Sequence, residues 1–83
     1  MKILIKTHKN AISEATEMSF HVDAEESDKI EKIKGQIQTT CGISLEKQRL
    51  FINGKQLEDG ISLSNYQIKN ESILDVVYRG MYL

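Results

Sequence analysis

The sequence lacks the features that mark several large classes of protein. It has no apolar run of 18 residues, so no segment is long enough to cross a bilayer as a helix. It has one cysteine, Cys41. One cysteine excludes an internal disulfide and makes no metal site alone, which predicts a reduced thiol in a cytoplasmic or nuclear protein. Neither sign of charge dominates, with 11 Lys and Arg against 12 Asp and Glu, a net charge of −1, and the signs mixed along the chain. That balance predicts neither nucleic acid nor an anionic membrane as a partner. Repeats and low-complexity stretches are absent, and so are paired-carboxylate, phosphate-loop and zinc-ligand spacings. His8, His21 and Cys41 fall on an expected loop, strand and helix end, with His21 expected to be exposed. A Cys–His nucleophile requires a spatial contact that this pattern does not imply. The expectation is a chain with no catalytic role and no cofactor.

What is present is enough for one small core. Of 83 residues, 40% are hydrophobic and 28% charged, which predicts one domain over residues 1–83. A chain of this size buries only about 60% of its unfolded surface, so the core must be packed well. Met1, Ile3 and Ile5 alternate with Lys2, Leu4 and Lys6, the period of a half-buried strand. The short apolar run ends at Lys6, so it reads as a strand and not as a leader. Residues 8–17 read as a loop longer than a tight hairpin needs, either a partner-specific contact or a tolerated insertion. Residues 18–24 alternate again, with Met18, Phe20, Val22 and Ala24 inward.

The period then changes. Asp28 and Glu31 have the spacing of a capping box, and Ile30, Ile33, Lys34, Ile37 and Cys41 fall near one helical face. Lys34 is expected to lay its stem along that face with its amine in water. Gly35, inside the helix, marks either close packing or simple tolerance, and Gly42 is placed to close the helix. Residues 48–52 form a third strand, Asn53-Gly54 a tight hairpin turn, and residues 55–57 a short fourth strand. Leu63, Tyr66 and Ile68 are expected to be buried in an irregular segment before a last strand over residues 72–78, with Leu74 and Val76 inward. The order implies one sheet with one helix across it, the first and last strands side by side in the middle.

Residues 48–60 read Gln-Arg-Leu-Phe-Ile-Asn-Gly-Lys-Gln-Leu-Glu-Asp-Gly. This stretch closely resembles the ubiquitin family, which shares its QRL and GKQLEDG. Leu63-Ser64, Tyr66, Ile68 and Glu71-Ser72 continue the match, and Met1, Ile3, Lys6-Thr7, Asp28, Ile30-Glu31, Lys34, Ile37-Gln38 and Gly42-Ile43 precede it in register. The resemblance covers nearly the whole chain, and the one length difference is a longer first hairpin. It implies an α+β fold of the β-grasp type, a mixed sheet of four to five strands packed on one helix. It also implies that the Tyr66 hydroxyl ties down the backbone near Glu58 and Asp59, a role in stability.

Strand alternation puts Phe51 and Val77 on the solvent side of the sheet, together with Ile73 and Asp75. Scattered exposed apolar residues are ordinary. In the family, however, the positions of Phe51 and Val77 are the centre of a protein-binding patch. The resemblance therefore implies a protein-binding site of Arg49, Phe51, Gly54, Lys55, Gln56, Asp75, Val77 and Arg79, an apolar centre with a polar rim. Phe51 and Asp75 depart from the family's smaller aliphatic residue and histidine, and the leucine of the family's first loop has no clear counterpart, so altered partner choice is expected.

The match holds through Arg79, but Tyr82 and Leu83 stand where the modifiers of the family carry the Gly-Gly that threads their processing enzymes. This favours a non-conjugated domain, monomeric in isolation, that docks onto proteins of the ubiquitin–proteasome system: the proteasome, a ligase, a deubiquitinase or a segregase. The alternatives are a modifier joined to target lysines and a fixed subunit of a complex. Lys6 and Lys55 match family linkage lysines, which does not show that they are modified.

Overall fold

A computed structural model describes residues 1–7 and 19–78 of the protein. The alternating residues at the start form β1 (Lys2–Thr7), with Ile3 and Ile5 fully buried and Lys2 and Lys6 exposed. The chain continues through β2 (Ser19–Asp23), α1 (Ile30–Cys41), β3 (Gln48–Ile52), β4 (Lys55–Gln56) and β5 (Ile73–Tyr78). Short 3-10 turns occupy Leu45–Lys47 and Leu63–Tyr66. The loop expected over residues 8–17, the inward position of Met18 and the rim position of Arg79 lie outside the described residues.

The strands form one five-stranded sheet in the order β2-β1-β5-β3-β4. β1 and β5 pair in parallel at its centre, and the other neighbours are antiparallel. Apolar composition explains this order. β1 and β5 present Ile3, Ile5, Leu74 and Val76, all essentially fully buried, and the middle of a sheet is where two such strands are covered best. Ile30, Ile33 and Ile37 of α1 are fully buried in the same core, with Leu50, Leu57, Leu63 and Ile68. Each such side chain contributes about 2 kcal/mol on burial. The mixed sheet gripping one helix is a β-grasp.

The helix starts differently from the capping-box reading. Lys29 is the N-cap and makes no side-chain cap bond. The opening N–H groups are satisfied by backbone: those of Ile30 and Glu31 donate to the Ile61 and Asp59 carbonyls at 3.0 and 3.4 Å, and that of Lys32 to the Lys29 carbonyl at 3.0 Å. Lys29 and Ser62 also form an isolated antiparallel bridge. A distant segment therefore does what a capping side chain does elsewhere. That leaves Asp28 for the preceding turn, where its Oδ2 accepts the Glu25 N–H at 2.8 Å and its Oδ1 lies 3.3 Å from Lys32 Nζ.

Lys34 corrects a second expectation. Its amine is not held in water. The residue is only 7% exposed, and Nζ pairs with Asp59 Oδ1 at 2.6 Å. The helix end and the turns follow the sequence reading. Gly42 closes α1 at φ 81°, its N–H donating to the Gln38 carbonyl. Asn53 at φ 50° and Gly54 at φ 82° make the turn between β3 and β4. The Glu58 N–H donates to the Tyr66 hydroxyl at 2.9 Å, as the resemblance implied.

Two stability predictions follow from these contacts. A Cβ at Gly35 would meet no atom within 4 Å, so the glycine is tolerated and not required by packing. Gly35→Ala should raise stability by about 0.5–1 kcal/mol, read as a higher urea midpoint at unchanged slope. The second concerns acid. The Glu25 hydrogen bond lowers the Asp28 pKa below its usual value, partial burial opposes this, and Lys32 reinforces it. A carboxyl depressed in the folded state contributes stability that is present above its unfolded value and lost as pH falls through the folded value. Asp28→Asn should therefore flatten the loss of stability on acidification in urea titrations between about pH 2 and 6.

Candidate protein-interaction surface

With one sheet face against the helix, alternation sends every second side chain of β1, β3 and β5 to the other face. The register then sets their neighbours. Leu4 lies beside Ile73, Lys6 beside Asp75, Asp75 beside Phe51, Phe51 beside Gln56, and Val77 beside Arg49. On the edge strand β2, His21 lies beside Leu4 and Asp23 beside Lys2. The outer face thus carries apolar side chains with Asp75 among them, and Lys2, Lys6, His21, Asp23, Arg49 and Gln56 around them.

Phe51 is half-buried, and its neighbour Ile52 packs against the core, so the two point to opposite faces. Val77 and Asp75 are also half-buried, and Arg49 and Gln56 are exposed. The structure therefore brings Arg49, Phe51, Gln56, Asp75 and Val77 onto one surface. Gly54 sits at the adjacent hairpin tip. Lys55 is placed apart from this group: it pairs with the inward-facing Ile52, and its Nζ lies 5.2 Å from the centre of the Tyr66 ring.

The strand behind this surface is tied to the helix. Gln48, the inward neighbour of Arg49, is 3% exposed, and its Nε2 donates to the carbonyls of Lys34 and Ile43, both at 2.9 Å. This ties β3 to α1 and to the loop after it. Leu4 and Ile73 were not included in the sequence-derived patch. Alternation alone put both on the outer side, but only the parallel register of β1 with β5 sets them next to each other.

His21 is exposed on the outer face, whereas Cys41 ends the helix on the inner side and donates its thiol to the Ile37 carbonyl at 3.2 Å. The sheet lies between them. Among the described residues no group of three or more His, Cys, Asp or Glu could hold a metal ion. What the outer face offers is apolar area with a polar rim, the anatomy that protein-interaction surfaces share.

Fold and surface together define a ubiquitin-like β-grasp domain. The comparisons with known proteins agree: the profile of the Ubiquitin family matches residues 3–80, and the chain belongs to that family. Similar proteins include the ubiquitin-like protein NEDD8 of Dictyostelium discoideum, 36% identical over 62 residues that make up 75% of this chain and 80% of that protein. The NEDD8-like protein RUB3 of Arabidopsis thaliana is 34% identical over 77 residues, 93% of this chain and 90% of its own length. The E3 ubiquitin-protein ligase UHRF1 of Xenopus tropicalis is 39% identical over 51 residues, 61% of this chain but only 7% of the ligase.

Proposed function

We propose that this chain is a non-conjugated ubiquitin-like domain that docks onto receptors of the ubiquitin–proteasome system through its outer sheet face. The observation that carries this reading is the placement of Phe51 and Val77, partly exposed, on one sheet face beside Arg49 and Gln56. The sequence after Arg79 supports it, because Tyr82 and Leu83 occupy the positions of the modifiers' terminal glycines. The likeness to a segment of a large ligase supports it too, since there a similar stretch is one part of a longer protein. Phe51 and Asp75 reshape the centre of the surface, so the domain selects receptors whose pockets accept an aromatic ring and not only a small aliphatic side chain. It acts in the cytoplasm or nucleus, where those receptors work, and has no chemistry of its own.

Binding to purified proteasomal receptors, ligases, deubiquitinases and segregase adaptors tests this reading. Phe51→Ala should weaken the tightest of these complexes by about 2 kcal/mol, roughly thirtyfold, and Val77→Ala by somewhat less, measured by calorimetry. Affinities unchanged by both substitutions would sink the proposal.

A second reading has its own support. The NEDD8-type relatives match along nearly their whole length, which fits a free-standing modifier joined to target lysines. Incubation with ATP and the activating enzymes of ubiquitin and NEDD8 separates the two. The docking reading expects no adduct, and a thioester cleaved by reducing agent would establish the modifier instead.

A further inference from the structure

Asn53 and Gly54 make the turn between β3 and β4, and they are the one asparagine–glycine pair in the chain. An asparagine side chain carries an electrophilic carbon, Cγ, within reach of the next backbone nitrogen. A glycine in the next position leaves that nitrogen without a Cβ to shield it. Both residues are exposed, and a Cβ at Gly54 would meet nothing within 4 Å, so the turn is open to water. No hydrogen bond among the described residues holds the Asn53 side chain or the Gly54 N–H.

The comparable sites are held. Asn70 Oδ1 accepts the Lys2 N–H at 2.7 Å, and the Glu71 N–H after it donates to the Lys2 carbonyl at 2.6 Å. Asn65 precedes Tyr66, a bulky residue whose hydroxyl is tied to the Glu58 N–H. Asp59-Gly60 repeats the spacing, but Asp59 Oδ1 is paired with the Lys34 amine, and a carboxylate is a poorer electrophile than an amide.

Ring closure requires Asn53 to leave its left-handed conformation at φ 50°. The hairpin permits this. β4 has two residues, both exposed, and lies at the edge of the sheet. Such a tip opens locally at little cost. Just beyond it, the Leu57 N–H donates to the Leu50 carbonyl at 2.8 Å and Leu57 is buried, so the opening stops there.

We propose that Asn53 is a site of spontaneous covalent modification, at which the folded chain converts an amide to a carboxylate with water as the co-reactant. The Gly54 nitrogen gives its proton to solvent and attacks Asn53 Cγ. The new bond closes a succinimide, and the side-chain nitrogen leaves as ammonia. Water then opens the ring. Breaking the bond from the nitrogen to Cγ leaves aspartate. Breaking its bond to the main-chain carbonyl carbon leaves isoaspartate, whose backbone runs through the side chain. Nothing is oxidised or reduced. Either product puts a negative charge two residues from Phe51, and isoaspartate also lengthens the turn that sets Gln56 beside Phe51. This goes beyond the docking function and stands or falls without it.

The test is to age the folded whole chain at physiological temperature, at neutral and mildly alkaline pH, and to follow each asparagine by peptide mass mapping. Methyl transfer from S-adenosylmethionine by an isoaspartyl methyltransferase counts the isoaspartate. Asn53 should convert at least about tenfold faster than Asn65 or Asn70, and faster as pH rises, because the attacking nitrogen must lose its proton. Asn53→Gln should abolish conversion at that position, since the longer side chain closes a larger ring far more slowly. The chain holds a glutamine in the same backbone region at Gln67, φ 58°, so this variant keeps the turn. In aged protein the amide resonances of residues 51–56 should move while the rest of the spectrum stays in place. Equal rates at Asn53, Asn65 and Asn70 overturn the proposal. So does an Asn53 that converts in urea but stays intact in the folded chain. Resonance changes spread through the core would overturn the local opening on which the proposal depends.

Discussion

The parallel pairing of β1 with β5 is the contact on which the rest of the molecule depends. It joins the first described strand to the last and closes the sheet around its centre. Because side chains alternate, one register decides two things at once. It directs Ile3, Ile5, Leu74 and Val76 into the core, and it sets Leu4 beside Ile73 and Lys6 beside Asp75 on the outside. A slip of one residue would expose the core and bury charge. The outer face is thus the reverse side of the packing solution, and the same register sets both.

A second constraint holds the helix in place. The segment from Glu58 to Ser62 gives α1 its first backbone acceptors, supplies Asp59 to the Lys34 amine, and is itself tied by the Tyr66 hydroxyl. A lysine so little exposed needs such a partner, since an unpaired amine there would be costly. The pair matters less for its net contribution than for what its loss would leave behind. Gln48 in turn connects β3 to the Lys34 carbonyl. Both links converge on one helical turn and fix the strand that carries Phe51.

The proposed docking would account for the apolar side chains this chain keeps in water. Phe51 and Val77 on the outer face, with Ile73 beside Leu4, expose area that a domain with no partner could replace with polar residues at little cost to its core. A partly apolar surface whose backbone is already hydrogen-bonded in a sheet also costs little to order on binding. The domain needs no cleft, metal or nucleophile to act on these terms.

Much of this was readable from the linear chain. The alternation of β1, β2, β3 and β5, the isoleucine stripe of α1, the closing Gly42 and the Asn53-Gly54 turn are all local patterns, set by backbone geometry within a few residues. The same alternation put Phe51, Asp75 and Val77 outside, and the run from Gln48 to Gly60 carried the family. What the linear chain misassigned was decided by segments far apart in sequence. The helix start took its acceptors from residues 59 and 61 instead of the Asp28 side chain, and Lys34 found Asp59 instead of water. Lys55 turned toward Tyr66, and Leu4 met Ile73. Periodicity can say which way a side chain points, but only the folded chain brings two distant residues close enough to satisfy or cover one another. The sequence by itself determined the elements, the core and the family; the tertiary structure decided which polar groups are paired and which side chains share the outer face.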